Sequence, residues 1–167
     1  QSAPMETLPP FEQVLESHWG PVYQLAYRMV QDPAEAEEIA QQAFFQAFRA
    51  WEKFEGRASV RTWLFRIALN AGKKHLLARK KRPATLENEP VAPPSSGTDG
   101  RREQVRRALE RLSPANRILL TLFCIEGAAC KEIAETLGCP EGTVWSQLYR
   151  AKKALKEEMQ REEAIHV

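Results

Sequence analysis

The sequence predicts an all-α protein: two small helical domains joined by a flexible linker. Three observations carry this reading. Apolar residues recur at helical spacing on both sides of residues 83–100, while period-2 alternation is scarce and β-branched residues are scattered. Residues 83–100, PATLENEPVAPPSSGTDG, follow no period; four prolines, two glycines and a Ser-Ser pair make them a linker. The chain of 167 residues is 43% hydrophobic, which suits one ordinary domain or two small ones and argues against wholesale disorder. The divisions expected are an N-terminal tail (1–10), a first domain (11–82), the linker, a second domain (101–160) and a C-terminal tail (161–167).

The elements follow in order. Gln1-Ser2-Ala3-Pro4 precede Met5 and are read as a remnant outside the fold. Phe11, Val14, Leu15, Val22, Leu25, Ala26 and Met29 stripe a helical region that Gly20-Pro21 is expected to interrupt. Asp32-Pro33-Ala34-Glu35 starts the next helix: Asp caps, Pro suits the first position, and Glu reaches back. That helix runs to about Trp51. Its aromatics Phe44, Phe45, Phe48 and Trp51 are too many for one face, so some pack inward and others face a partner. Glu55–Ala58 is a loop. Ser59 caps a third helix striped by Leu64, Ile67, Ala68 and Ala71, which runs on into Lys80, Lys81 and Arg82 until Pro83 ends it. The second domain holds four short helices. Val105, Leu109 and Leu112 stripe the first. Ser113-Pro114 starts the second, with Ile118, Leu119, Leu122 and Phe123 apolar, and Gly127 breaks it. Lys131–Leu137 is the third. After the Gly138-Cys139-Pro140 turn, the fourth starts near Glu141 with Val144, Leu148, Ala151 and Leu155 inward.

A net charge of +2 argues against a nucleic-acid partner only if the charge is evenly spread. It is segregated. Residues 1–52 set two bases against eight acids, and residues 53–82 set ten bases against Glu55 alone. The linker has three acids (Glu87, Glu89, Asp99) and no base, and residues 101–167 have twelve bases and ten acids. The order −6, +9, −3, +2 points to partners of different sign. No run of ~18 apolar residues would span a membrane, and no signal-peptide pattern opens the chain. Cys124, Cys130 and Cys139 match no zinc spacing and are read as reduced cytosolic thiols. No nucleophile elbow, HExxH, phosphate loop or GxGxxG is present, so no enzyme, cofactor or metal is expected.

Three constellations remain. Residues 131–155, KEIAETLGCPEGTVWSQLYRAKKAL, read as a helix-turn-helix: Ala134 permits close approach, Gly138 suits a positive φ, and Val144 anchors the second helix. Thr143, Trp145, Ser146, Gln147, Tyr149, Arg150, Lys152 and Lys153 then point outward, as a major-groove reader requires. The plainer alternative is a helical hairpin with a solvated basic face. Residues 54–82, FEGRASVRTWLFRIALNAGKKHLLARKKR, interleave cations with Phe54, Trp63, Phe65 and Asn70, which suits single-stranded nucleic acid. A basic solvated helix with core aromatics is the plainer reading there. The acidic, aromatic helix 35–51 suits a protein partner, because its acids repel phosphate; an ordinary amphipathic helix is the alternative.

EAEEIAQQAFFQAFRAWEKF, ASVRTWLFRIALNAGKKHL, a Pro-rich linker and IAETLGCPEGTVWSQLYRAKKAL together resemble a bacterial sigma factor of the extracytoplasmic-function group. The resemblance spans about residues 11–160, with WLxRIAxN and GTVxSxLxRAxxxL as its most specific motifs. It implies an alternative sigma factor, non-enzymatic and cytoplasmic, with sigma domains two and four and no counterpart of domains one and three. It implies that Glu38, Gln41, Gln42, Phe45 and Arg49 dock on the β′ clamp helices of core RNA polymerase, with the β flap as a further contact. Phe54, Arg57, Ser59, Arg61, Thr62, Trp63, Arg66, Asn70, Lys73, Lys74, Arg79 and Lys80 would melt and hold the −10 element. A flipped non-template base would enter a pocket in the loop at about Phe54–Thr62. Lys131, Thr143, Trp145, Ser146, Gln147, Tyr149, Arg150 and Lys153 would meet the −35 duplex. The acidic linker would thread polymerase near the RNA path. An anti-sigma factor, itself free or membrane-bound, is the implied regulator. Reach is compatible independently of the family: eighteen extended residues span up to ~60 Å, and about 17 base pairs span ~58 Å. The family often has GTVRSR where this chain has Trp145 and Gln147, and Ser-Tyr where it has Ala129-Cys130. The rival readings are a helix-turn-helix repressor or activator that acts on duplex DNA without polymerase, and a protein–protein adaptor.

Overall fold

The computed structural model of the protein describes residues 7–81 and 100–165. Every regular element among them is helical. The first three helices, α1 (Phe11–Val30), α2 (Pro33–Ala50) and α3 (Val60–Lys81), form one bundle, with a 3₁₀ turn at Trp51–Lys53. The second set is α4 (Gly100–Glu110), α5 (Pro114–Leu120), a π-helical turn at Thr121–Ile125, α6 (Cys130–Leu137) and α7 (Glu141–Ile165). Residues 82–99, which hold Arg82 and all of the expected linker except Gly100, lie outside the described residues, as does His166; Gly100 opens α4.

Helix starts follow local chemistry. The Asp32 carboxylate accepts from the Glu35 amide at 3.0 Å, and Ser113 Oγ accepts from the Asn116 amide at 3.3 Å, each followed by proline at the first turn. Ser59 Oγ accepts from the Thr62 amide at 3.1 Å and so opens α3. α6 begins at Cys130, and Ala129 before it supplies no side-chain cap.

Three expectations need correction. Gly20-Pro21 does not interrupt α1, which runs through it. Proline forfeits one helical hydrogen bond and crowds the turn before it; burial of Val14, Val22, Leu25, Ala26 and Met29 on one stripe outweighs that. The helix begun at Pro114 leaves α geometry at Thr121. Its hydroxyl donates to the Arg117 carbonyl at 2.7 Å, competing for an acceptor within the helix, and the Glu126 amide then bonds Thr121 five residues back at 3.0 Å. Finally, α7 is long: it continues to Ile165 through residues expected as tail. Glu162 is the reason, since it is buried with its carboxylate 3.3 Å from Arg107 and 3.9 Å from Arg111, pinning α7 along α4.

One apolar cluster runs through both helical sets, from Leu25, Ile39, Leu64 and Phe65 to Leu120, Leu122, Ile133 and Leu148. Gly72 allows α3 to press on α1, where an added Cβ would stand 2.4 Å from Met29 Cε. No helix among the described residues is long and apolar enough to cross a membrane. Nor does any group of three or more His, Cys, Asp or Glu among them suit a metal ion. The three cysteines are free.

Candidate nucleic-acid interface

The aromatics of α2 and of the 3₁₀ turn that follows it divide as their number requires. Phe44 and Trp51 are buried, whereas Phe45 and Phe48 stay 62% and 61% exposed. Glu38, Gln41, Gln42 and Arg49 are exposed beside them, with the Arg49 guanidinium 5.8 Å from the Phe45 ring centre. An apolar surface framed by acids and amides, with Arg49 its one cation among these residues, suits a protein better than phosphate. Phe48, one of the aromatics too many for one face, lies outside the expected set of Glu38, Gln41, Gln42, Phe45 and Arg49, yet it shares their exposed surface three residues after Phe45.

Beyond α2 the chain builds an aromatic recess. Phe54 stacks on Trp51 with centroids 5.4 Å apart and planes 16° apart, and meets Trp63 at 4.9 Å. Trp51 is anchored by its indole N–H, which donates to the Pro9 carbonyl at 3.0 Å. Phe54 and Trp63 line a recess of about 260 Å³ with Lys53, Arg57 and Arg66 around it. That volume admits a planar base, which aromatic faces hold by stacking and cations by its phosphate. From here Asn70, Lys73, Lys74 and Lys80 continue along the exposed side of α3, joined by the exposed Leu77.

Four residues of the expected −10 set are placed differently. Thr62 is buried, serving the Ser59 cap with Oγ1 3.0 Å from Ser59 Oγ, so it presents no surface. Arg79 donates to the Val30 carbonyl at 3.3 Å and lies 3.4 Å from Glu35, tying α3 to the α1–α2 junction. Arg61 donates to the Glu126 carbonyl at 2.9 Å and lies 3.4 Å from the Glu132 carboxylate. Arg66 Nε donates to the Glu135 carbonyl at 2.6 Å. The last two arginines therefore contact the second helical set, Arg61 half-buried and Arg66 still exposed.

In that set α6 and α7 meet as a helix-turn-helix. Gly138 holds φ +68°, and the Gly138 and Cys139 amides both reach the Ala134 carbonyl, at 2.8 and 3.1 Å. Val144, Leu148 and Ala151 are buried, which fixes the register of α7. Lys131, Thr143, Trp145, Ser146, Gln147, Tyr149, Arg150 and Lys153 are exposed as expected. Lys152 is drawn aside, its ammonium 4.5 Å from the Phe123 ring centre.

Residues 14–82 match the family Sigma-70 region 2, and residues 102–155 match Sigma-70, region 4. The chain is 35% identical to the RNA polymerase sigma-H factor of Pseudomonas aeruginosa, covering 81% of this chain and 79% of that protein. It is 31% identical to the ECF RNA polymerase sigma-E factor of Escherichia coli K12, covering 74% and 73%. The chain belongs to the extracytoplasmic-function sigma factors. The fold agrees: the sigma factor RpoE of Bartonella quintana, solved with the anti-sigma factor NepR, superposes with a TM-score of 0.77 at 23% identity, covering 90% of this chain and 96% of that one.

In this alternative sigma factor the two regions are clasped together. Arg117 of α5 is buried; it donates to Arg28 and Met29 carbonyls of α1 at 2.6 and 3.4 Å. It also donates to the Glu110 carbonyl at 3.4 Å and to the Leu112 carbonyl. Gln31, left-handed at the end of α1, donates to the same Glu110 carbonyl at 2.9 Å. One guanidinium thus satisfies carbonyls at the C-terminal ends of two helices, where partial negative charge collects. Burial lowers the pKa of Arg117 and of Arg28, yet both stay charged. Nothing in the sequence marked Arg117 or Gln31, because their partners are backbone atoms up to 89 residues away.

Proposed function

We propose that this sigma factor binds core RNA polymerase and directs initiation at a restricted promoter set, melting the −10 element and reading the −35 duplex. The observation that carries the reading is the recess of Phe54 and Trp63 opening onto the cationic side of α3. It has the shape and chemistry for a base taken out of the stack, with Arg57, Asn70, Lys73, Lys74 and Lys80 along the strand. Ser59 and Thr62 act there by shaping the loop. Lys131, Thr143, Trp145, Ser146, Gln147, Tyr149, Arg150 and Lys153 meet the −35 duplex. Glu38, Gln41, Gln42, Phe45 and Arg49 dock on the β′ clamp helices, with Phe48 extending that surface, and domain four meets the β flap.

Arg66 already stands at the rim of the recess, whereas Arg61 reaches the −10 strand only after it leaves Glu126 and Glu132. Engagement of promoter DNA therefore separates the two regions. An anti-sigma factor controls the protein by covering these faces; the related RpoE was solved bound to one, NepR. The protein works where polymerase and promoter DNA are, in the cytoplasm, and catalyses no reaction itself.

Core polymerase, the purified protein and promoter templates in a transcription assay test this. Initiation restricted to particular promoters supports it. DNA binding without initiation would point to a repressor, and neither activity would point to an adaptor.

A further inference from the structure

The recognition helix carries an unusual pair. Trp145 and Tyr149 are 58% and 72% exposed, four residues apart and therefore one turn apart on the same flank of α7. Among the described residues neither ring stacks on another ring or donates to a partner. With Val144, Leu148 and Ala151 buried, the register leaves Trp145 no inward alternative. A large apolar side chain so exposed on a monomer marks a contact surface.

Its surroundings say which kind. The first two turns of α7, Glu141 to Gln147, contain no lysine or arginine. Recognition helices place these N-terminal turns at base edges, and guanine is read there by bidentate arginine or lysine. That chemistry is missing. The cations stand further along: Arg150 and Lys153 are exposed one to two turns after Trp145, while Lys152 is held over Phe123. Ser146 gives its proton to the Gly142 carbonyl at 3.2 Å, so it faces outward mainly as an acceptor. What remains at the base edges is the indole of Trp145, with the Thr143 methyl and the Gln147 amide. Apolar surface meets one feature of the major groove, the thymine 5-methyl, and a glutamine amide pairs best with adenine.

We infer that this helix selects T·A-rich −35 duplex through thymine methyl groups, and that Trp145 is the residue that reads them. Tyr149, one turn on toward the cations, packs against the sugar-phosphate wall and holds the helix at that depth. The inference rests on α7 entering the major groove of promoter DNA, as proposed above.

Deoxyuridine isolates the methyl, since it removes that group and leaves every hydrogen bond in place. The −35 sequence is first selected from a randomised duplex library with the assembled holoenzyme. Each thymine is then replaced in turn by deoxyuridine. One or two replacements should weaken promoter binding about fourfold each, the worth of one buried methyl. Trp145→Ala, at an exposed position, should fold with an unchanged melting temperature and bind thymine and uracil templates equally. Trp145→Arg should move the selected base toward guanine. A wild-type protein indifferent to every deoxyuridine overturns the inference, as does Trp145→Ala retaining the full methyl effect. So does a Trp145→Ala variant that loses a protein partner but keeps its promoter discrimination, which would make the pair a protein-docking surface. Failure of the holoenzyme to select any duplex would instead sink the sigma reading itself.

Discussion

At the scale of single residues, two positions repay substitution because their geometry leaves few substitutes. Gly138 holds φ +68° at the turn between α6 and α7 with open space around it. Alanine there meets no clash and pays only for left-handed backbone, so Gly138→Ala should cost about 1 kcal/mol in urea unfolding. Arg117 is the opposite case. It is buried and donates to four carbonyls; an aliphatic replacement takes this donor from Arg28, Met29 and Leu112, while Gln31 still serves Glu110. Arg117→Met should lose about 2–4 kcal/mol. Arg117→Lys should recover little of it, because an ammonium lacks the planar fork that spans two helix ends.

Elements show how much one face of a helix decides. In α2 the residues Ile39, Ala40, Ala43 and Ala47 are buried, leaving Phe45 and Phe48 outside. Phe45→Glu should therefore weaken core polymerase binding at least tenfold, measured by titration of labelled core enzyme. Domain-four binding to −35 duplex, measured on the same protein, should not change. Loss of both together would show that α2 supports the fold rather than a partner. In α3 the stripe from Asn70 to Lys80 is a line of cations. Lys73→Ala combined with Lys74→Ala should reduce the salt dependence of promoter binding by a slope of about 1–2. A slope equal to the wild type would remove these lysines from the DNA surface.

The whole molecule adds a constraint that no element holds alone. Arg61 and Arg66 belong to the surface proposed for the −10 strand, yet they contact Glu126, Glu132 and Glu135 of domain four. Arg117 and Gln31 fasten the same two regions at the far end of α1. Releasing the clasp should thus expose the −10 surface. In Arg117→Ala the radius of gyration from solution scattering should rise, and affinity for a single-stranded −10 oligonucleotide should rise with it. A more open protein with no gain in affinity would mean that domain four does not shield the strand-binding face. Glu132→Ala should do little by itself, since its pair with Arg61 is half solvated.

The sequence by itself determined the all-helical class, the start of α2 at Asp32-Pro33, the Ser59 and Ser113 caps, and the turn at Gly138. These are set by residues within one or two turns of each other, where periodicity and capping are local chemistry. It also separated the charges into an acidic first stretch, a strongly basic block, an acidic linker and a mildly basic last stretch. Local rules misjudged Gly20-Pro21 because burial on one stripe of α1 decided that helix, and misjudged the end of α7 because Glu162 depends on two arginines of α4. The tertiary structure alone assembled the recess from Phe54 and Trp63 backed by Trp51, turned Thr62 inward, tied Arg79 to Val30 and Glu35, and engaged Arg61 and Arg66 with domain four. It alone made the Arg117 clasp, whose acceptors are main-chain carbonyls. Every residue carries such a carbonyl, so only the packing of helix ends can say which ones an arginine will find.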